Sequence, residues 1–368
     1  MIAALRDRFD AFFGRGRFST SVPVMDGPLQ PNQLLEEAEV VVTRPALDNL
    51  ASVDGAVLFS SGEDLFRLPR GAAAPEPIWR APAPISCVAV DGAGAMAIGV
   101  DGVGIDIRGG RHDGRQIRTF VSGPLVCPTA ALFVDEDTLI VALGSAEFEA
   151  AEWKRDLMSR GRSGSVWRVD LAGGKAELVA GGLAFPYGVA RAPGNDILIS
   201  EAWEHRIVRL GSQPGPHVVL DGLPGYPARL IAASTGGYWL CVFAPRNQLV
   251  EFVLKERDFC GRMMADVPPN YWIAPALVSG ASFKEPLQGG GVKQMGILKP
   301  WAPARSYGLV VELDRDVHPV RSWHSRADGK MHGVSSACEH GGRLIAGAKG
   351  PGYALDLGAV QGFVAELA

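Results

Sequence analysis

Cysteine is scarce: five in 368 residues, at Cys87, Cys127, Cys241, Cys260 and Cys338, with no two closely spaced. Without a CxxC pair there is no zinc ribbon and no dithiol redox motif, and an odd, scattered set makes no disulfide framework. Reduced thiols and a cytoplasmic location are the expectation. Charge of one sign is also lacking. Lys and Arg number 36 against 40 Asp and Glu, for a net charge of −4 and a pI near 6.0. That balance excludes a dominant polyphosphate-binding surface and makes nucleic acid an unexpected partner. No apolar run approaches the ~18–20 residues of a membrane-spanning helix. Arg6, Asp7, Arg8 and Asp10 interrupt the first turns of the chain, so no signal-peptide core is expected there. Neither GxSxG, HExxH nor a phosphate loop occurs, and Gly289-Gly290-Gly291 lacks the GK[ST] ending. The excess of Arg over Lys suggests a GC-rich bacterial coding sequence.

What is abundant is apolar material and punctuation. Hydrophobic residues make up 47%, and 46 Gly with 26 Pro divide them into runs of a few residues rich in Val, Ile and Leu. Many short strands separated by turns are an all-β signature. Six segments share one plan: a polar or small residue opens a strand, a Gly, Asp or Asn turn follows, and a second strand begins about ten residues on. They open at Asp48, Ser86, Thr129, Tyr187, Ala228 and His332, the last with two additional turn residues. Four-stranded units at roughly 40-residue spacing are propeller blades. The expected fold class is all-β, a six-bladed β-propeller with helical and loop cap insertions. A sandwich or two smaller β domains would not produce so regular an offset.

Two intervals between openings are long, 58 residues after Thr129 and 104 after Ala228. They hold insertions at about 145–162 and 255–304, expected to form a cap over one mouth of the central tunnel. Residues 1–38 read as an N-terminal helical or extended arm, in which Ile2, Leu5, Phe9, Phe12 and Phe13 have helical spacing. Residues 39–368 form the propeller. The arm is expected to dock on the propeller or on a second copy, giving a possible homo-oligomer.

Three stretches carry a family resemblance. They are the run SGSVWRVDLAGGKAELVAGGLAFPYGVARAPGNDILISEAWEHRIVRL from residue 163, DGLPGYPARLIAASTGGYWLCVFAPRNQLVEF from residue 221, and GLVVELDRDVHPVRSWHS with VSSACEHGGRLIAGA between residues 308 and 347. Together they cover about a third of the chain and resemble the strictosidine synthase-like propellers, relatives of the gluconolactonase and paraoxonase propellers. The resemblance implies a small-molecule enzyme. The plant synthases use a Glu on the inner strand of the last blade, and that position is Ser335 here, so Pictet–Spengler condensation by their route is not expected. The hydrolase relatives imply a divalent cation, Ca2+ or Zn2+, at the tunnel centre. Asp48 is the one charged candidate ligand among the openings, an incomplete set for calcium.

In a propeller the openings converge on the tunnel. His332 and Asp48, in blades that meet at ring closure, are expected to form a general base and its orienter. Tyr187 is expected to polarise a carbonyl oxygen, and Arg229, Thr129, Ser86 and Ser335 to bind substrate. Trp203, Phe243 and Trp272, with Tyr271, are candidates for an aromatic wall. Glu201 and Arg206 read as a hairpin ion pair, and Cys241 as a buried small hydrophobe. The alternative use of the ring residues is to plug the channel. The expected function is hydrolysis of an ester or lactone at the tunnel mouth. The alternatives are a non-catalytic ligand- or partner-binding propeller and a metal-independent lyase or condensing enzyme.

Overall fold

Each sheet of the repeat begins with a strand whose pairing register breaks within its first five residues. The computed structural model describes residues 22–211, 215–286, 293–294, 297–298 and 304–360. The helical spacing read for Ile2–Phe13 lies outside the described residues. Six four-stranded antiparallel sheets make up the fold. From inner to outer strand, blade 1 is Leu47–Val53, Ala56–Ser61, Asp64–Pro69 and Glu76–Arg80. Blade 2 runs from Ile85–Val90 to Gln116–Ile117, blade 3 from Pro128–Phe133 to Ala176–Leu183, and blade 4 from Pro186–Arg191 to His217–Leu220. Blade 5 begins with Gly225–Ala232 and Tyr238–Pro245 and resumes after the long insertion with Leu309–Leu313 and Pro319–His324. Blade 6 begins at Val334–His340, continues through Arg343–Ala348 and Tyr353–Ala359, and takes Glu39–Thr43 as its outermost strand. The ring is thus closed by pairing the start of the described chain with its end. The inner strands pack in cyclic order, blade 6 against blade 1 included.

Hydrophobic side chains from facing blades fill the space between sheets. Ala130, Ile140, Val166, Val189, Ile199 and Val208 form one such layer between blades 3 and 4. Near the axis the strands approach closely. A Cβ on Gly188 would lie 2.8 Å from Ala228 O and 2.7 Å from Leu230 N, so a larger residue there would push blades 4 and 5 apart.

Two insertions rise from the same end of the ring. The first, between the second and third strands of blade 3, carries the short helix α1 (Trp153–Met158). The second, between the same strands of blade 5, carries α2 (Gln248–Val253) and α3 (Arg257–Asp266). Gly350 lets the second insertion press on blade 6: a Cβ there would meet Leu277 O at 2.0 Å. Among the described residues no helix is long and apolar enough to cross a membrane.

Candidate functional site

The register breaks of the inner strands fall at equivalent positions around the tunnel. They lie between Asp48 and Ala51, Ile85 and Cys87, Pro128 and Ala130, Pro186 and Gly188, Pro227 and Leu230, and Val334 and Ser336. A bulge re-aims the side chain it carries. The bulged residues are therefore Asn49-Leu50 beside Asp48, then Ser86, Thr129, Tyr187, Ala228-Arg229 and Ser335. In blade 1 the turn of the chain needs a left-handed residue, and Asn49 (φ 59°) supplies it.

Asp48 is the centre of this ring. It is 2% exposed. Its Oδ1 accepts hydrogen bonds from Arg229 Nη1 at 2.9 Å, Ser335 Oγ at 2.8 Å and Asn49 N at 2.7 Å. Lys349 Nζ donates to Oδ2 at 3.0 Å. Burial alone would raise the Asp48 carboxyl, but Arg229 and Lys349 outweigh it and hold the group well below the usual carboxylate range. Burial likewise works against the Lys349 ammonium, and Asp48 and Tyr187 overcome it and raise its pKa. Arg229 also donates to the carbonyls of Ser335 and Ser86 and lies 5.3 Å from the Tyr187 ring centroid. One side chain of blade 5 thus bridges blades 6, 1 and 2 across the tunnel.

Above this plug lies a cavity of about 330 Å³. Lys349, with 32% of its side chain exposed, faces it from blade 6, and Asp101 faces it from blade 2. Both residues directly follow the second strand of their blade. Asp101 accepts hydrogen bonds from Ala150 N at 2.6 Å and Ala151 N at 2.9 Å, tying down the first insertion, and burial raises its pKa. The opposite wall is aromatic. Trp203 stacks on Phe185 with centroids 4.4 Å apart, and Tyr187, Phe243 and Trp153 meet edge to face around them. The Trp203 indole is fixed by a 2.6 Å hydrogen bond to Asp156 Oδ1. Ser86 and Thr129 reach the same cavity. The Thr129 hydroxyl donates to Pro186 O at 2.5 Å, whereas Ser86 Oγ has no hydrogen-bond partner among the described residues.

Asp48, Arg229 and Ser335 are thus brought together, and Trp203 and Phe243 share the aromatic wall. Trp272 and Tyr271 are elsewhere, lining a separate chamber in the cap. The expected pair of His332 and Asp48 is not formed. His332 precedes the inner strand of blade 6, which begins at Val334. Its Nδ1 lies 2.7 Å from Ser306 Oγ and its Nε2 2.7 Å from Arg326 O, so both ring nitrogens are engaged. The reason is register. Blade 6 has the ordinary hairpin, turning at Gly341-Gly342, and its ring position is Ser335 rather than His332. Glu201 is fully buried and pairs with Arg206 Nη2 at 2.6 Å, while Cys241 is 1% exposed.

No family model matches the chain. A strictosidine synthase-like 10 protein of Arabidopsis thaliana is 27% identical over 128 residues, 34% of each chain. The adipocyte plasma membrane-associated protein of Bos taurus is 26% identical over 212 residues, 55% of this chain and 45% of that protein. The chain is similar to the strictosidine synthase-like six-bladed propellers. Its matches span a third to just under half of the length of these relatives. Solved propellers agree with the fold. A Xanthomonas campestris gluconolactonase superposes with TM-score 0.55 at 12% identity, over 86% of this chain and 88% of that one. A calcium-binding regucalcin from Agrobacterium tumefaciens superposes with TM-score 0.51 at 11% identity, over 88% and 93%.

A calcium ion at the tunnel centre needs about six to eight oxygen ligands. The tunnel of this propeller offers Asp48, whose two oxygens are already taken by two protein cations, a hydroxyl and a backbone N–H. Among the described residues no three His, Cys, Asp or Glu side chains are grouped for a metal. The residues present do not fit such an ion.

Proposed function

We propose that this propeller hydrolyses an ester or lactone in the tunnel-mouth cavity. The observation that carries the reading is that an ammonium, on Lys349, and a carboxylate, on Asp101, line one aromatic-walled cavity. Lys349 is held protonated by Asp48 and still presents part of its side chain to the cavity. It would accept the carbonyl oxygen of the substrate and the negative charge that develops there, as a fixed electrostatic stabiliser. Asp48 is ionised and fully engaged, so it serves to position Lys349 rather than to take a proton. Asp101 is the carboxylate lining the cavity and, among the described residues, is not ion-paired with Arg or Lys; burial makes it a stronger base. It would remove a proton from water as the oxygen adds to the carbonyl carbon. The alkoxy C–O bond then breaks, and the proton passes from Asp101 to the leaving oxygen. Tyr187, Trp203 and Phe243 would hold the apolar body of the substrate.

The test is turnover of a panel of lactones and aryl esters by wild type, Lys349→Met and Asp101→Asn. The reading expects roughly 10²–10³-fold loss of kcat in Lys349→Met, the usual effect of deleting an oxyanion donor, and a comparable loss in Asp101→Asn. Hydrolysis unaffected by either substitution would overturn it. The saturation of Asp48 favours a second reading, a non-catalytic binding propeller. Saturable binding that depends on Lys349, with no turnover of any panel member, would support that one instead.

A further inference from the structure

The cap contains a second, larger chamber of about 570 Å³ that the proposed hydrolysis does not use. It lies between α1 and the second insertion and shares Ala151, Trp153 and Leu277 with the tunnel-mouth cavity. The two spaces therefore adjoin across the Trp153 indole.

The chamber is cationic in its interior. Arg305 has only 4% of its side chain exposed. Its Nη1 lies 3.3 Å from Glu285 Oε2 and its Nη2 donates to Asn270 O, but its Nε is buried and, among the described residues, has no hydrogen-bond partner. Glu285 is not free to compensate further. Its carboxylate already accepts the N–H groups of Gly280, Ala281 and Ser282. Lys154 faces the same space from α1, with Nζ 5.6 Å from the Trp153 centroid and, among the described residues, no carboxylate within ion-pair distance. Arg155 is paired with Glu152 and lies 5.6 Å from the Trp272 centroid. An unsatisfied guanidinium N–H and an unpaired ammonium, framed by indole rings, suit a carboxylate borne on an apolar body.

We propose that the cap chamber binds an anionic tail, so that the substrate class is a two-ended molecule: a carbonyl head at Lys349 and a carboxylate held by Lys154 and Arg305. The head-group part of this assignment rests on the tunnel-mouth reading above, and the tail does not. Burial and the neighbouring Arg305 bring the Lys154 pKa down to about 8, against Glu285. The other charged or titratable groups around the chamber are Glu152, Arg155 and Tyr271. Capture of the tail should therefore weaken as pH rises through about 8, where Lys154 loses its charge.

Calorimetric binding of two esters of matched length tests this, measured throughout in the Asp101→Asn background so that neither ester is turned over: monophenyl adipate, with a carboxylate tail, and phenyl hexanoate, without one. At neutral pH Asp101→Asn alone should prefer the adipate by roughly tenfold, the effect of one charge-assisted pair. Lys154→Met should reduce that preference and leave phenyl hexanoate affinity unchanged. Lys154→Arg should keep the preference and remove its decline above about pH 8. Arg305→Gln should weaken the adipate further, and circular dichroism would verify that this buried variant folds. Equal affinity of both esters in Asp101→Asn alone, with both lost when Lys349→Met is added, would overturn the cap subsite and leave the tunnel-mouth reading intact. A preference that survives both Lys154→Met and Arg305→Gln would overturn it as well. Binding of neither ester would overturn both readings.

Discussion

The Lys349 ammonium lies 3.0 Å from Asp48 Oδ2, joining the end of a blade 6 strand to the inner strand of blade 1 where the ring closes. Arg229 holds the other oxygen from blade 5. Three blades therefore depend on one carboxylate, and its loss should be felt in stability as much as in ligand binding. Asp48→Asn leaves two cations near the axis without a counter-charge, and breaking a buried pair in this way costs about 3–5 kcal/mol. Urea unfolding should show that loss as a lower midpoint. A cost below ~1 kcal/mol, the value of a surface pair, would mean that the cations find water instead.

Acid should unfold the protein through two carboxylates. Asp48 is held well below the usual range by Arg229 and Lys349 against its burial. Burial also opposes ionisation of Glu251, but His205 and Arg246 hold its pKa at about 2. For both, the folded pKa is depressed below the unfolded values of ~3.9 and ~4.3. Their stabilising contribution is therefore complete above about pH 4–5 and is lost as pH falls towards the folded values. Stability measured from pH 6 downwards should decline below that point. In Glu251→Gln the part of the decline between about 4 and about 2 should disappear.

The thiols should be inert until the fold opens. All five cysteines are free and buried. Burial pushes Cys87 up to about 11 and Cys338 up to about 12, and raises Cys127, Cys241 and Cys260 as well. Neutral thiols are poor nucleophiles. A thiol reagent at neutral pH should label the native protein only at the rate of unfolding and label all five promptly in denaturant. Prompt labelling of one thiol in the native state would mark a locally open blade.

The blade count was legible because a hairpin with a fixed turn repeats its spacing in the chain, as from Asp48 to Leu58 and from Tyr187 to Ile197. The closing strand Glu39–Thr43 was not, because its partners Tyr353–Asp356 lie some 300 residues away and no local pattern records such a pairing. Asp48, Ser86, Thr129 and Tyr187 sit at the tunnel because each immediately precedes or occupies the bulge of its inner strand. In blade 5 the bulge holds two residues, so Arg229 rather than Ala228 crosses the axis. In blade 6 the run HGVSSACEH offers two openings three residues apart. The repeat spacing points to His332 as the opening, whereas the family resemblance points to Ser335, which is the residue at the register break.

Lys349 and Asp101 went unseen for a different reason. They follow the second strand of their blades, where blades 1 and 3 have Gly62 and Gly144. A charged residue at that one position of the repeat was the available signal, and it appears only when second-strand ends, not openings, are aligned. The cap chamber had no such signal. Trp153, Tyr271 and Arg305 are far apart in sequence, and their meeting depends on how the two insertions fold over the ring.

Arg229 and Lys349 neutralise Asp48 in the place where a divalent cation would otherwise do so. The most direct measurement is the thermal unfolding midpoint of the wild type with calcium and with a chelator, paired with the metal content of each sample. The expected result is the same midpoint in both and no stoichiometric ion. A retained ion whose removal lowers the midpoint would contradict it, and would require Lys349 and Arg229 to leave the Asp48 carboxylate.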